Sequence, residues 1–122
     1  MTSYQPTHMV HRAHESTNPD PITFVAGELV QVIQKFTDDP EWANWVKCEN
    51  ADGKQGWVPL QLLHVDGEWA TAQGTYTAHE LTLTIGAFVT VSHVLNGWAW
   101  AKTEENEWGW ISVRNLVRLE EK

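Results

Sequence analysis

Apolar and polar side chains alternate in two stretches lying 59 positions apart. In "ITFVAGELVQV", from Ile22 to Val32, Val30 and Val32 flank Gln31; in "LTLTIGAFVTV", from Leu81 to Val91, Val89 and Val91 flank Thr90. A period of two marks a strand with one buried face. Gly27 falls on Gly86, and Ile22 and Phe24 fall on Leu81 and Leu83. Downstream, "WVKC" from Trp45 is matched to "WAKT" from Trp100, and "GWVPLQLL" from Gly56 to "GWISVRNL" from Gly109, where the offset has dropped to 53. The same order of segments, shortened only between them, implies a duplicated fold.

β-branched and aromatic residues fill these runs, and Gly, Asn, Asp and Pro interrupt them. "ENADGKQG" and "EENEWG" predict hairpin connections, with Asp52-Gly53 as a turn pair. No segment predicts an α-helix; "PLQLL" and "SVRNL" are each long enough for one 3₁₀ turn. Five short strands per copy predict an all-β chain of two small, bent barrels packed side by side. The expected inward positions are Val10, Ile22, Phe24, Val30, Val32, Cys48, Val58 and Leu63, then Ala72, Leu81, Leu83, Val89, Val91, Thr103, Ile111 and Leu116. The expected boundaries are a flexible 1–7, a first domain at 8–65, a linker at 66–69 and a second domain at 70–119. So short a linker implies a fixed pair, with Trp69 as a wedge at the joint.

Composition narrows the function. The 122 residues carry eight Lys and Arg against sixteen Asp and Glu, a formal net charge of −8, with no basic run. Nucleic acids and anionic membranes, which draw on Lys and Arg, are poor partners; basic ligands are favoured. Cys48 is the single cysteine, so an intrachain disulfide and a Cys-x-x-Cys metal motif are both ruled out, and it reads as a buried structural thiol. His8, His11 and His14 are spaced by three, which on a strand points neighbours to opposite faces and argues against a metal site. Neither a signal-peptide stretch nor a membrane-length apolar run is found, so a cytoplasmic protein is expected. No catalytic constellation and no cofactor motif is present, so a non-enzymatic protein without cofactor or metal is expected.

The run hydrophobic-x-hydrophobic-x-x-Gly-Glu, the Trp strand and "GWVP" together resemble the SH3 domain. "ITFVAGE" is similar to the stretch after the family's RT loop, "GWVPLQLL" to its closing strand and 3₁₀ turn, and "ATAQGTYTAHEL" to its opening strand with a shortened RT loop. The resemblance covers 8–65 and 70–119, in the form of bacterial tandem variant SH3 proteins. It implies recognition of polyproline-II segments on aromatic ridges, with acidic loops pairing to ligand Arg or Lys. In the first copy Trp45, Trp57 and Pro59 match groove positions, while Arg12 and His14 stand where the family has paired tyrosines and Leu62 where it has a later one. In the second copy Trp100, Trp110 and Tyr76 match, with Gly74 in place of a tyrosine, Ser112 of the proline and Asn115 of the later tyrosine. Asp20, Asp38, Asp39 and Glu41 flank the first ridge; Glu80, Glu104, Glu105 and Glu107 flank the second.

Trp45 and Trp100 have two readings: contact with a peptide, or packing against the sister domain. Trp42, Trp98 and Trp108 read as loop anchors. The expected ligand-binding set is Trp45, Trp57, Pro59, His14, Asp20, Trp100, Trp110, Tyr76 and Glu80. The expected function is a peptide-binding module for basic or Pro-containing segments. The alternatives are a structural role, with the ridges consumed in interdomain or homodimer contacts, and a cell-wall-binding module.

Overall fold

The computed structural model describes residues 5–35 and 44–120. Trp42, Asp38, Asp39 and Glu41 lie outside these residues. The chain forms β1 (His8–Val10), β2 (Thr23–Phe24), β3 (Leu29–Lys35), β4 (Trp45–Glu49), β5 (Gln55–Pro59), a 3₁₀ turn (Leu60–Leu62), β6 (Leu63–Asp66), β7 (Trp69–Ala72) and β8 (Tyr76–Thr77). It continues through β9 (Phe88–Leu95), β10 (Trp98–Thr103), β11 (Trp108–Ser112), a second 3₁₀ turn (Val113–Asn115) and β12 (Leu116–Arg118). The chain is all-β, and both expected 3₁₀ turns are present. Among the described residues no helix is long and apolar enough to cross a membrane.

Two compact units form, and they are not the linear halves 8–65 and 70–119. One, here the contiguous unit, is 18–79; the other, the composite unit, joins 5–17 to 80–120. The contiguous unit holds the sheet β5-β4-β3-β7-β6 and the pair β2-β8; the composite unit holds β11-β10-β9-β1-β12. β7 pairs with β3 and β6, whereas β1 pairs with β9 and β12. Val10 opposes Leu116 as Ala72 opposes Leu63, so β1 and β7 fill the same slot in two barrels of the same pattern.

The expected linker is the cause. Asp66 pairs with Trp69 across a two-residue turn at Gly67 and Glu68, and of these two only Gly67 has positive φ, 65°. That is the type II′ pattern, which turns one strand straight back onto its neighbour and takes Gly at its first central position. Residues 66–69 are therefore a hairpin inside the contiguous unit. Trp69, expected as a wedge at a joint, is the first residue of β7 and is 48% exposed.

Each unit has its own core. Ile22, Phe24, Val30, Val46, Cys48, Val58, Leu63 and Ala72 are buried in the contiguous unit; Val10, Leu81, Leu83, Val89, Ala99, Ala101, Ile111 and Leu116 cluster in the composite one. Of the sixteen expected inward positions, only Val32 and Val91 are half-buried rather than buried. Gly56 explains one Gly-Trp: a Cβ there would meet Ile22 Cγ2 at 2.8 Å and the Ala78 Cβ at 3.2 Å.

The hairpins correct the expected register. Trp45 opposes Pro59 and Lys47 opposes Trp57; Trp98 opposes Ser112 and Trp100 opposes Trp110. Trp45 thus corresponds to Trp98, and Lys47 to Trp100, with no gap through the 3₁₀ turns. Matching "WVKC" to "WAKT" is a slip of two residues, invisible to a period of two. The whole change of offset, from 59 to 53, falls between β3 and β4, where the second copy has only Asn96-Gly97. Both residues have positive φ, 51° and 84°, as a type I′ turn requires. Register shifts place Gln34 opposite Lys47 in β3 and His93 opposite Trp100 in β9, so both copies carry the same bulge.

Removing two methyl groups from Val10 should cost about 2 kcal/mol of stability. In Val10→Ala, hydrogen exchange should accelerate at β9 and β12 and stay unchanged at β3 and β6; a loss at β3 instead would contradict the exchange of strands. Burial, with Arg118 opposite in β12, pushes the His8 pKa below its usual value. The folded chain therefore disfavours a proton that the unfolded chain accepts. Stability present above the ordinary histidine pKa should be lost as pH falls through it. Urea melts from about pH 7 to about pH 5 should show a larger loss for the wild type than for His8→Gln.

Candidate functional site

The exchange of β1 and β7 redistributes the expected site residues. His14 and Tyr76 occupy equivalent places: His14 bridges Leu83 as Tyr76 pairs with Phe24. The resemblance put His14 with Trp45 and Tyr76 with Trp100; the structure puts His14 and Glu80 with Trp98, Trp100 and Trp110, and Tyr76 and Asp20 with Trp45, Trp57 and Pro59.

In the contiguous unit Trp45 and Tyr76 are consumed by the barrel. Trp45 is 4% exposed, and Pro59 opposite it is fully buried. Tyr76 is buried against Phe24, ring centroids 5.5 Å apart, and its hydroxyl donates to the Trp57 carbonyl at 2.8 Å. Trp57 is half-buried. Asp20 meets Lys54 Nζ at 3.0 Å, an exposed pair of small energetic weight.

In the composite unit β10 alternates. Ala99, Ala101 and Thr103 face the core; Trp98, Trp100 and Lys102 face outward. On β11 Ser112, Trp110 and Trp108 lie opposite these three in turn. The outer face therefore carries four indoles. Trp100 lies 5.2 Å from Trp110 and stacks on Trp108 at 5.9 Å, planes 14° apart. His93, aimed there by the bulge in β9, meets Trp110 edge-on at 5.9 Å. Trp110 is 6% exposed and Trp108 42%. Lys102 Nζ stands 5.8 Å from the Trp108 ring centre.

At the Trp98 end, His14 meets the indole edge-on at 6.2 Å, and its Nε2 lies 2.7 Å from Glu80 Oε1. A carboxylate is acceptor only, so Nε2–H donates and Glu80 is oriented beside the ridge. Glu80 itself bridges Trp110 through the backbone. Asn115 fixes the segment before His14, its Nδ2 donating to the carbonyls of Arg12 and Ala13. This face thus gathers an acid, an imidazole and a row of indoles around the β10–β11 hairpin.

Sequence reasoning missed Trp98, Trp108, Lys102 and His93 as members of this face. The spacing held the signal: Trp98 and Trp100 are two apart on a strand, so both must point the same way. Two hairpin loops also repeat. The Asn50 Oδ1 accepts from the backbone N–H of Asp52 and Lys54, both at 3.0 Å, and the Thr103 hydroxyl accepts from that of Glu107 at 3.2 Å. Among the described residues no group of three or more His, Cys, Asp and Glu side chains could hold a metal.

Residues 7–66 match the family model described as a variant SH3 domain. That segment, just short of half the chain, runs from the residue before β1 to the end of β6 and so takes in parts of both units. An SH3-like domain is in general a protein-interaction module.

Cys48 lies in the core between β3 and β5, and burial pushes its thiol up from 9.0 to about 12. The proton stays on in the fold where the unfolded chain would release it. Stability should therefore be intact below about pH 9 and decline as pH rises towards 12. At neutral pH a thiol reagent should leave folded Cys48 unmodified and label it stoichiometrically in urea; rapid labelling without denaturant would refute the buried placement.

Proposed function

We propose that the chain is a non-enzymatic protein- or peptide-binding module, and that its working face is the indole row of the composite unit with Glu80 beside it. The ligand is a basic or Pro-containing segment. The row of indoles beside an oriented carboxylate carries this reading. Proline rings and the stems of long side chains pack on indole faces, and polyproline-II segments lose little entropy on docking. Glu80, held by His14, pairs with a ligand Arg or Lys, and the net charge of −8 draws such a ligand in. In the contiguous unit, Trp57 and Asp20 form a lesser contact region. The proposed location is the cytoplasm, and no bond chemistry is assigned.

Burial favours the structural alternative at three positions: Trp45 is 4% exposed and Trp110 and Tyr76 are each 6%, so these rings pack beneath the surface and support it.

Titrating the full chain with a basic proline-rich peptide, followed by Trp emission, should give a saturable change. Affinity should fall with added salt, and Glu80→Gln should weaken it about threefold to tenfold while flattening the salt dependence. A flat titration at low salt would defeat the proposal.

A further inference from the structure

The far end of the indole row, Trp100, Trp108 and Lys102, lies at the opposite end of the strand pair from the pairing of Trp98 with Ser112. The barrel does not need it. At the equivalent positions the contiguous unit builds the same hairpin with Lys47 for Trp100, Gln55 for Trp108 and Glu49 for Lys102. Two large apolar rings kept on an outer face, one of them 42% exposed, have a use other than closing the core.

We infer that this end of the β10–β11 face is a second contact surface, which reads an arginine of the bound segment by stacking its guanidinium on Trp108, the ring that Trp100 backs. The inference rests on the peptide-binding reading above and names the chemistry at a place that reading leaves open. Three observations support it. Trp100 stacks on one face of Trp108, planes 14° apart, and so fixes the ring whose other face meets a flat group. A cation already visits this platform: Lys102 Nζ, 5.8 Å from the Trp108 centre, is the chain's own stand-in for a ligand cation. Glu104 and Glu105, both exposed in the turn that joins these strands, supply negative charge beside the platform. Arginine suits it better than lysine because its charge is planar and weakly hydrated, so it stacks on an indole with little loss of solvation. On binding, the guanidinium displaces the Lys102 ammonium from the ring.

The test uses the full chain and two peptides: a proline-rich peptide with Arg at every third residue, and the same peptide with citrulline, a neutral isostere, at each Arg. Trp108→Gln installs the residue that the other barrel carries at this place. In calorimetry the variant should lose about threefold to tenfold in affinity for the arginine peptide and nothing for the citrulline one. In the wild type the arginine peptide, but not the citrulline one, should shift the indole N–H resonances of both Trp100 and Trp108, a readout that needs no variant. Lys102→Gln, which vacates the ring, should tighten arginine-peptide binding. If the arginine peptide binds yet neither resonance moves, or Trp108→Gln binds it as the wild type does, the inference falls and the peptide-binding reading stands. If neither peptide binds the wild type, both fall together.

Discussion

The architecture depends on a two-residue turn. At Gly67 and Glu68 the chain, having just completed β6, reverses at once and lays β7 beside β6 and β3. A hairpin partner two residues away pairs with far less loss of chain entropy than a strand more than fifty residues upstream. The slot that β1 would fill in a linear tandem protein is thereby occupied by β7. β1 completes the composite unit instead, and the placing of His14 beside Trp98 and Glu80 follows from that substitution.

The consequence for the site is a new combination of side chains. A linear arrangement would set His14 against Trp45 and Tyr76 against Trp98. The exchanged one gives the contiguous unit the buried tyrosine, whose hydroxyl is satisfied by the Trp57 carbonyl and whose ring packs on Phe24. It gives the composite unit the half-buried imidazole, which can hold Glu80 outward. The two barrels have diverged accordingly. One has buried Trp45, Phe24 and Tyr76; the other carries four indoles on the outer side of a hairpin whose inner face is small, with Ala99, Ala101 and Thr103, Trp110 lying beneath its neighbours.

Much of the fold was legible in the chain. Alternation located the strands, the sixteen inward positions were read from it with only Val32 and Val91 less buried than expected, and Pro59 and Ser112 stand before the 3₁₀ turns. Two features were not legible, for definable reasons. β1 and β7 are short and carry small or β-branched inward residues, Val10 and Ala72, that fit either slot, so pattern alone cannot choose a partner. "WAW" offers two indoles on one face, so Trp45 can be set against either without disturbing the alternation. The gapless match of 45–63 with 98–116 would have decided the second point, and Asp66-Gly67-Glu68 held the turn that decides the first. The site was legible in its residue types but not in its grouping, because grouping is a property of the crossing.

The composite unit also imposes an order in time. On the ribosome, β1 is made first but its neighbours β9 and β12 are made last, whereas 18–79 emerges as one uninterrupted stretch carrying everything its own sheet requires. At about 5–20 residues per second, the translation of the residues from β8 to β12 takes on the order of several seconds. Met9 waits for Phe88 of β9 and Val10 for Leu116 of β12, so β1 is a segment on which a chaperone would find a long-lived foothold.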